Sequence, residues 1–485
     1  ALILYNEGYG AVVGGGGSSA PMDQAAALLK PLVNGANPSR EVRQLYADDL
    51  NIVCLNQSPQ QALATCDVAL KILEGLGALD LSDLNAAASW ADTADTKSGE
   101  LRALGRNAEA LKLEQQVFAM TEKVLARRPD DLHALEDRFF AASRLALLAD
   151  GRHDAAAAMN YANQSVQAAQ DWVRFNPSSI DAWSRWAQAL AQVATFQYER
   201  GEVAHAIATR RSALALAQDP RSPKGLAASI FYIWRGLIDI QASSGDSAGA
   251  EQSLQAYLRG LHTLAAGLPP HSPQRLLAGN ATNQPLTIGH LELFEGAPQP
   301  ALADATTALA KIEAVQVPAT DANTTRTKNA MLEASLNVAA QAAVQLGRYS
   351  QAETSARQWL AVAPASVQQA DPKPLESRAR YILAQAIAMQ GRNAEARNVL
   401  QPALDYYQQQ FKAGASDTDF RHDYAYALYV SAIAAPKDAA GAKQRRVDLE
   451  EAAKLITGMS ADARRLTTTR YVAGLIAHAR AGSKG

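Results

Sequence analysis

Seven short stretches of this 485-residue chain pair a glycine with an alanine five positions later. The glycines are Gly105, Gly151, Gly201, Gly245, Gly296, Gly347 and Gly391, and the alanines are Ala110, Ala156, Ala206, Ala250, Ala301, Ala352 and Ala396. Two copies share all six residues, GRNAEA. Successive glycines are separated by 46, 50, 44, 51, 51 and 44 residues, so the chain is internally repetitive. An eighth, weaker copy puts Asn56 in the glycine's role, with Ala62 six residues on. Helix-forming sequence stands on both sides of each glycine, as in "DAWSRWAQALAQVATFQYER" before Gly201 and "VAHAIATRRSALALAQ" after it. Glycine ends the first helix by entering the left-handed region without a Cβ penalty. An alanine early in the next helix lets the two backbones approach. Each unit is then an αα-hairpin, and since two helices alone cannot bury their apolar faces, the hairpins must stack.

Composition agrees with an all-helical array. Alanine is abundant and loses no side-chain entropy in a helix, while aromatic residues are only 6 % of the chain. At this length one hydrophobic core is improbable on size grounds, which favours several domains or a repeat array. The net charge of −2 lacks the basic excess of a nucleic-acid binder, and no apolar run is long enough to span a membrane. The first residues, Ala1-Leu2-Ile3-Leu4, show neither an initiator Met nor a signal peptide. We expect a mature product, a piece of a longer chain or a fusion.

The repeat resembles the tetratricopeptide repeat (TPR) family. The matching marks are glycine with alanine five later, Tyr349 between Gly347 and Ala352, Ala403 twelve after Gly391, and Pro364 closing "RQWLAVAP". Two features depart from the family: the units are 44 to 51 residues long where TPR units have 34, and most first helices lack the expected aromatic and glycine marks. The resemblance implies an α-solenoid of stacked antiparallel hairpins, a TPR-like right-handed superhelix with lengthened helices. It also implies a scaffold or regulatory module, part of a longer bacterial signalling or assembly protein, holding a protein or peptide ligand in a concave groove.

The rhythm breaks in three places. "GGGGSS" at residues 14–19 reads as a linker, which would make residues 1–13 a tethered peptide. Residues 267–285, rich in Pro, Gly and Asn, separate an N-terminal block (20–266) from a C-terminal block (286–460). Residues 461–485 form a capping helix and tail.

None of the patterns associated with chemistry survives inspection. Gly14–Gly17 lack the lysine of a phosphate loop. "GDSAG" at 245–249 follows a helix, not the strand that a nucleophile elbow needs. No two of the eight histidines stand four apart, so no helix face offers a metal two imidazoles. Cys54 and Cys66 lie at unequal distances from the turn between them. That makes a disulfide marginal, and two buried free thiols fit better. Acidic pairs such as Asp130-Asp131 and Glu450-Glu451 sit where helix dipoles and solvation account for them. We therefore expect no catalytic site, cofactor or metal.

By the resemblance, residues 13, 10 and 6 before each glycine face the groove. From Gly151 onward the polar and aromatic ones are Arg138, Gln188, Thr195, Tyr232, Arg235, Asp239, Asn283, His290, Asn337, Gln341, Arg378, Tyr381 and Gln385. The set has no lysine, which disfavours the acidic tail of a chaperone as ligand. Among the central aromatics Trp183, Trp186 and Phe231 read as core, whereas Tyr198, Tyr232 and Arg235 are the better anchors. A rival reading is a sensor or carrier holding a small molecule or glycan where the two blocks meet. It predicts a closed pocket with clustered aromatics, where the first predicts a long groove of interchangeable polar residues.

Overall fold

A computed structural model describes residues 20–319, 321–366 and 371–482. The expected tethered peptide and its linker lie outside the described residues. Among those described there is no strand, and within each unit most sequence-adjacent helices pack against each other. The fold is the expected all-α, TPR-like array of antiparallel hairpins.

The chain divides into two compact units. Unit 1 comprises residues 20–189 with Arg221–Pro223, and unit 2 comprises Leu190–Pro220 with residues 224–482. Unit 1 holds α1 (Ala20–Val33), α2 (Arg40–Leu55), α3 (Pro59–Gly75), α4 (Leu84–Ala103), α5 (Asn107–Arg127), α6 (Leu132–Asp150), α7 (Ala155–Phe175) and the first half of α8 (Ile180–Glu199). Its helix starts are fixed by side chains: Ser39, Asp83, Asp131 and Asp154 each accept from backbone N–H groups two or three residues on. Cys54 and Cys66 are both buried and free.

Unit 2 continues with α9 (Val203–Ala215), α10 (Leu226–Ile230), α11 (Ile233–Ser244), α12 (Ser247–Gly267), α13 (Pro273–Ala278), α14 (Asn280–Phe294), α15 (Pro298–Glu313), α16 (Ala322–Gln345), α17 (Tyr349–Ser366), α18 (Lys373–Ala388), α19 (Asn393–Lys412), α20 (Thr418–Ala434), α21 (Ala439–Thr457), α22 (Ala461–Arg465) and α23 (Thr467–Gly482). Residues 267–285 fold within this unit: Leu277 of α13 and Leu286 of α14 are buried against Ala308, Ile312, Val315 and Met331. A second cluster gathers Ile238, Leu254, Tyr257 and Leu261, and an alanine-rich core runs from Ala194 to Ile476, with Trp359, Tyr381 and Tyr407 among its large members.

At six of the repeat glycines the turn between paired helices follows one rule, which Asn56 (φ −106°), in the eighth copy, does not share. A left-handed residue ends the first helix, the next N–H reaches back five residues, and the alanine five after the left-handed residue is buried. At Gly105, Arg106 N donates to Leu101 O at 2.8 Å and Ala110 is fully buried. Gly201, Gly245, Gly296, Gly347 and Gly391 repeat this with Ala206, Ala250, Ala301, Ala352 and Ala396. It is the Schellman ending, which satisfies carbonyls that the helix leaves without a partner.

Gly151 departs from the sequence reading. Its φ is −59°, an ordinary helical value, and His153 takes the left-handed conformation instead (φ 62°). Asp154 N then donates to Ala149 O at 3.0 Å, and the buried alanine is Ala158, while Ala156 is exposed. The cause is local. Asp154 caps α7 by accepting from Ala157 N at 3.0 Å, which starts that helix at Ala155 and forces the reversal onto residue 153. The hairpin is retained, and its register shifts by two residues.

The last helices fold back onto the first hairpin of unit 2. Ser460 Oγ donates to Gly201 O at 2.9 Å and accepts from Ala463 N at 3.1 Å, capping α22. A Cβ on Gly201 would lie 2.2 Å from Ser460 Oγ, so this turn needs glycine for closeness as well as for φ. Beyond it α23 packs on α20, α21 and α11, burying Val472 and Ile476.

Candidate functional site

The helices of unit 2 enclose a cavity of about 770 Å³, within the size range of small-ligand sites. Its wall takes Thr195 and Tyr198 from α8, Asp239 from α11, His290 from α14, Asn337 and Gln341 from α16, and Arg378 and Tyr381 from α18. These eight are among the groove residues read from the sequence. The position six before the glycine converges best, contributing Thr195, Asp239, His290 and Gln341.

The other predicted residues lie elsewhere. Arg138 pairs with Glu122 at 3.3 Å and lies over the Phe118 ring. It was counted from Gly151; counted from His153, the equivalent residue is Phe140. Gln188 is exposed and accepts from Arg185 at 3.0 Å. Tyr232 is exposed at the start of α11, and Arg235 is half-buried beside Tyr257 and Asp239, behind the cavity wall. Asn283 and Gln385 are buried: the Asn283 amide donates to the Leu277 carbonyl, and Gln385 accepts from Tyr426 Oη at 2.8 Å.

Nine residues of the wall carry no mark that the repeat could reveal. Arg210 comes from a second helix, α9, and its guanidinium lies where a Cβ on Gly236 would be, 2.4 Å from that position. Asp419, His422, Asp423 and Tyr426 come from α20, which no repeat glycine follows. Gln345 is two residues before Gly347, and Thr467, Thr469 and Tyr471 belong to the closing helix α23. The available signal was chemical, a cluster of Asp, His and Tyr in "DTDFRHDYAY" on a helix facing the array.

One end of the cavity, at α18 and α20, is a closed network. Arg378 Nε donates to Asp423 Oδ2 at 2.5 Å, and its Nη2 lies 3.6 Å from Asp419. Tyr381 Oη donates to Asp423 Oδ1 at 3.1 Å, and His422 Nδ1 lies 3.0 Å from the same oxygen. Burial works to raise the Asp423 carboxyl, but the Arg378 charge and the hydrogen bonds of His422 and Arg378 bring it down to about 2. Asp423 in turn holds the Arg378 guanidinium well above its ordinary value. Burial and Asp423 together push the Tyr381 hydroxyl up. The Tyr381 and Tyr426 rings lie 4.9 Å apart.

The other end, around α11, is not closed. Arg210 Nη2 donates to Thr195 Oγ1 at 3.1 Å, but its buried Nε has no hydrogen-bond partner. His290 Nε2, Thr467 Oγ1 and Thr469 Oγ1 are likewise buried without partners. Burial and the Arg235 charge lower His290 to about 3, so its ring is neutral near pH 7. Asp239 is raised by burial, against the pull of Arg235 and Arg210.

Along one wall Asn337, Gln341 and Gln345 stand four residues apart on α16, so their amides share one helix face. Gln341 Nε2 donates to Asn337 Oδ1 at 2.5 Å. Among the described residues no group of three or more His, Cys, Asp or Glu is placed to hold a metal, and no helix is long and apolar enough to cross a membrane.

No protein-family model matches the sequence, and neither does any curated protein. Several solved structures are similar at low identity. A tetratricopeptide repeat protein from Parabacteroides merdae is 13 % identical over 70 % of this chain and 98 % of its own, with a TM-score of 0.33. A Rap protein solved in complex with Competence and Sporulation Factor is 12 % identical over 79 % of this chain and 98 % of its own, with a TM-score of 0.41. A signal-transduction ATPase (STAND) protein with a tetratricopeptide repeat sensor, from Pyrococcus horikoshii, is 13 % identical over 96 % of this chain and 71 % of its own, at 0.36. At these TM-scores the likenesses carry no inference about ligand or activity. The helical-repeat fold stands on this chain's own hairpins.

Proposed function

We propose that this chain is a binding module whose second unit holds a short stretch of extended polypeptide in its cavity. The observation that carries the reading is the amide row Asn337, Gln341 and Gln345 on the cavity wall. Four helical residues rise about 6 Å, and two residues of an extended strand advance about 6.4–6.8 Å. Amides spaced this way meet every second peptide group of an extended chain, and each amide both donates and accepts. Backbone recognition of this kind tolerates varied ligand sequence, and the tyrosines at 198, 381, 426 and 471 offer amphipathic surface to ligand side chains. The helices around the cavity are held by the core, so the site is preorganised and little freedom is lost on binding.

The test uses the full chain, immobilised, and a randomised pool of free peptides about six residues long, a size suited to small-ligand cavities. Retained peptides are read by mass spectrometry. The wild type should retain a subset, and the double variant Asn337→Ala, Gln341→Ala should lose it while keeping its helical circular dichroism. Equal retention by the folded variant would remove the amide row from the account. No retention by the wild type would overturn the peptide reading itself.

A further inference from the structure

Resting on the peptide reading above, we infer that the α11 end of the cavity receives a carboxylate of the bound peptide, clasped by Arg210, His290, Thr467 and Thr469. The four come from α9, α14 and α23, each of which packs against α11, and all four line the same cavity. Each presents a buried polar atom that finds no hydrogen bond within the protein: Arg210 Nε, His290 Nε2, and the two threonine Oγ1 atoms. A buried polar group left unpaired is costly, so four along one cavity mark where ligand atoms belong.

The chemistry of the four selects the ligand group. Arg210 Nε–H can only donate. Both threonine hydroxyls and a neutral imidazole can also donate. An acceptor with several lone pairs and a negative charge satisfies the whole set, and a carboxylate accepts about four hydrogen bonds. The charges near this end are Arg210 and Arg235, set against Asp239 and against Glu295, which also lines the cavity. The other acid within reach of Arg235 is Glu333, which accepts from Trp359 Nε1 at 2.7 Å and is itself pushed up by burial. At the opposite end Arg378 is already committed to Asp423 and Asp419, so its charge is not available to a ligand. Gly236 makes the clasp possible, because any side chain there would displace the Arg210 guanidinium.

The carboxylate can come from the peptide's C-terminus or from an acidic side chain, and the same retention assay separates the two. Three pools are compared on the immobilised full chain: free peptides, C-terminally amidated peptides, and amidated peptides made without Asp or Glu. Retention of the third pool should fall about tenfold below the first, the scale of a charge-assisted pair. If the amidated pool falls as far, the C-terminus is the source; if it holds, a side chain is. Arg210→Gln should lower the free pool to the level of the third, and Thr469→Val, a near-isosteric change, should lower it part of the way. Equal retention of all three pools by the wild type would overturn the carboxylate site and leave the peptide reading standing. Retention of none would count against the peptide reading first.

Discussion

In unit 1 the carboxyls of Asp49 and Glu114 are fully buried, and none of their oxygens accepts a hydrogen bond, Arg144 standing 3.9 Å from Glu114. In unit 2 Asp423 is equally enclosed but receives Arg378 and Tyr381 and lies beside His422. The same hairpin is thus used to bury charge in two ways, and the two ways give opposite responses to pH. Burial, with Asp23 adding to it, raises Asp49 to about 7, and burial raises Glu114 to about 7. Hydrogen bonds from Arg392 and Arg357 lower Glu353 to about 2, which puts it with Asp423. A carboxyl raised on folding keeps its proton while the unfolded chain loses one near pH 4, so Asp49 and Glu114 withdraw stability from unit 1 as pH rises from about 4 to about 7. A carboxyl lowered on folding contributes stability above about pH 4 that disappears as pH falls toward about 2, which describes Asp423 and Glu353, although unit 2 also holds carboxyls that burial raises, Glu292 among them.

The largest expected effect breaks the closed network. Asp423→Ala leaves the Arg378 guanidinium with only Asp419 at 3.6 Å, and should cost unit 2 about 3–5 kcal/mol. Pulse proteolysis in urea, read by mass spectrometry to tell the units apart, should show unit 2 opening early with unit 1 unchanged. A shift under 1 kcal/mol, roughly that of a surface pair, would mean that the network is not structural.

Next comes the shifted turn of unit 1. Ala158→Leu places a large side chain where α6 and α7 meet and should cost about 1–3 kcal/mol, whereas Ala156→Leu, at an exposed site, should stay within about 0.5 kcal/mol. The reverse order in thermal melting would restore Gly151 as the turn residue. The pH contrast can be sharpened with Asp49→Asn, which removes the charge and keeps the shape. It should stabilise unit 1 on the order of 1–2 kcal/mol at pH 8 and leave it unchanged at pH 4. Smallest is a pair of glycine substitutions. At Gly245 (φ 86°) a Cβ meets nothing within 4 Å, so Gly245→Ala has only a conformational cost of about 1–2 kcal/mol. At Gly151 (φ −59°) the same change should be neutral or stabilise by about 0.5 kcal/mol. Equal melting-temperature losses would contradict the two conformations.

These turns also show how much of the molecule could be read beforehand. Six of the seven hairpins were legible because the left-handed glycine and the fully buried alanine are both consequences of backbone geometry, which sequence records directly. The seventh was misplaced because two signals competed. Gly151 matched the repeat, but Asp154 followed by alanines is a stronger helix start, and the cap prevailed over the glycine. Half-buried groove residues such as Asp239, His290 and Gln341 could be counted from their glycines. Arg210, Asp419, Asp423 and Thr469 could not, since they lie on second helices or beyond the last repeat glycine. The place of Thr469 depends on the folding-back of α22 and α23 onto the Gly201 turn, a contact between residues 259 apart in sequence.

The most direct test of the cavity as the binding site is hydrogen–deuterium exchange of the full chain with and without the peptides it retains. Protection should appear on α16 across Asn337–Gln345, on α11 around Gly236–Asp239 and on α23 at Thr467–Tyr471, with unit 1 unchanged. Protection confined to unit 1, or none in unit 2 at saturating peptide, would contradict the account.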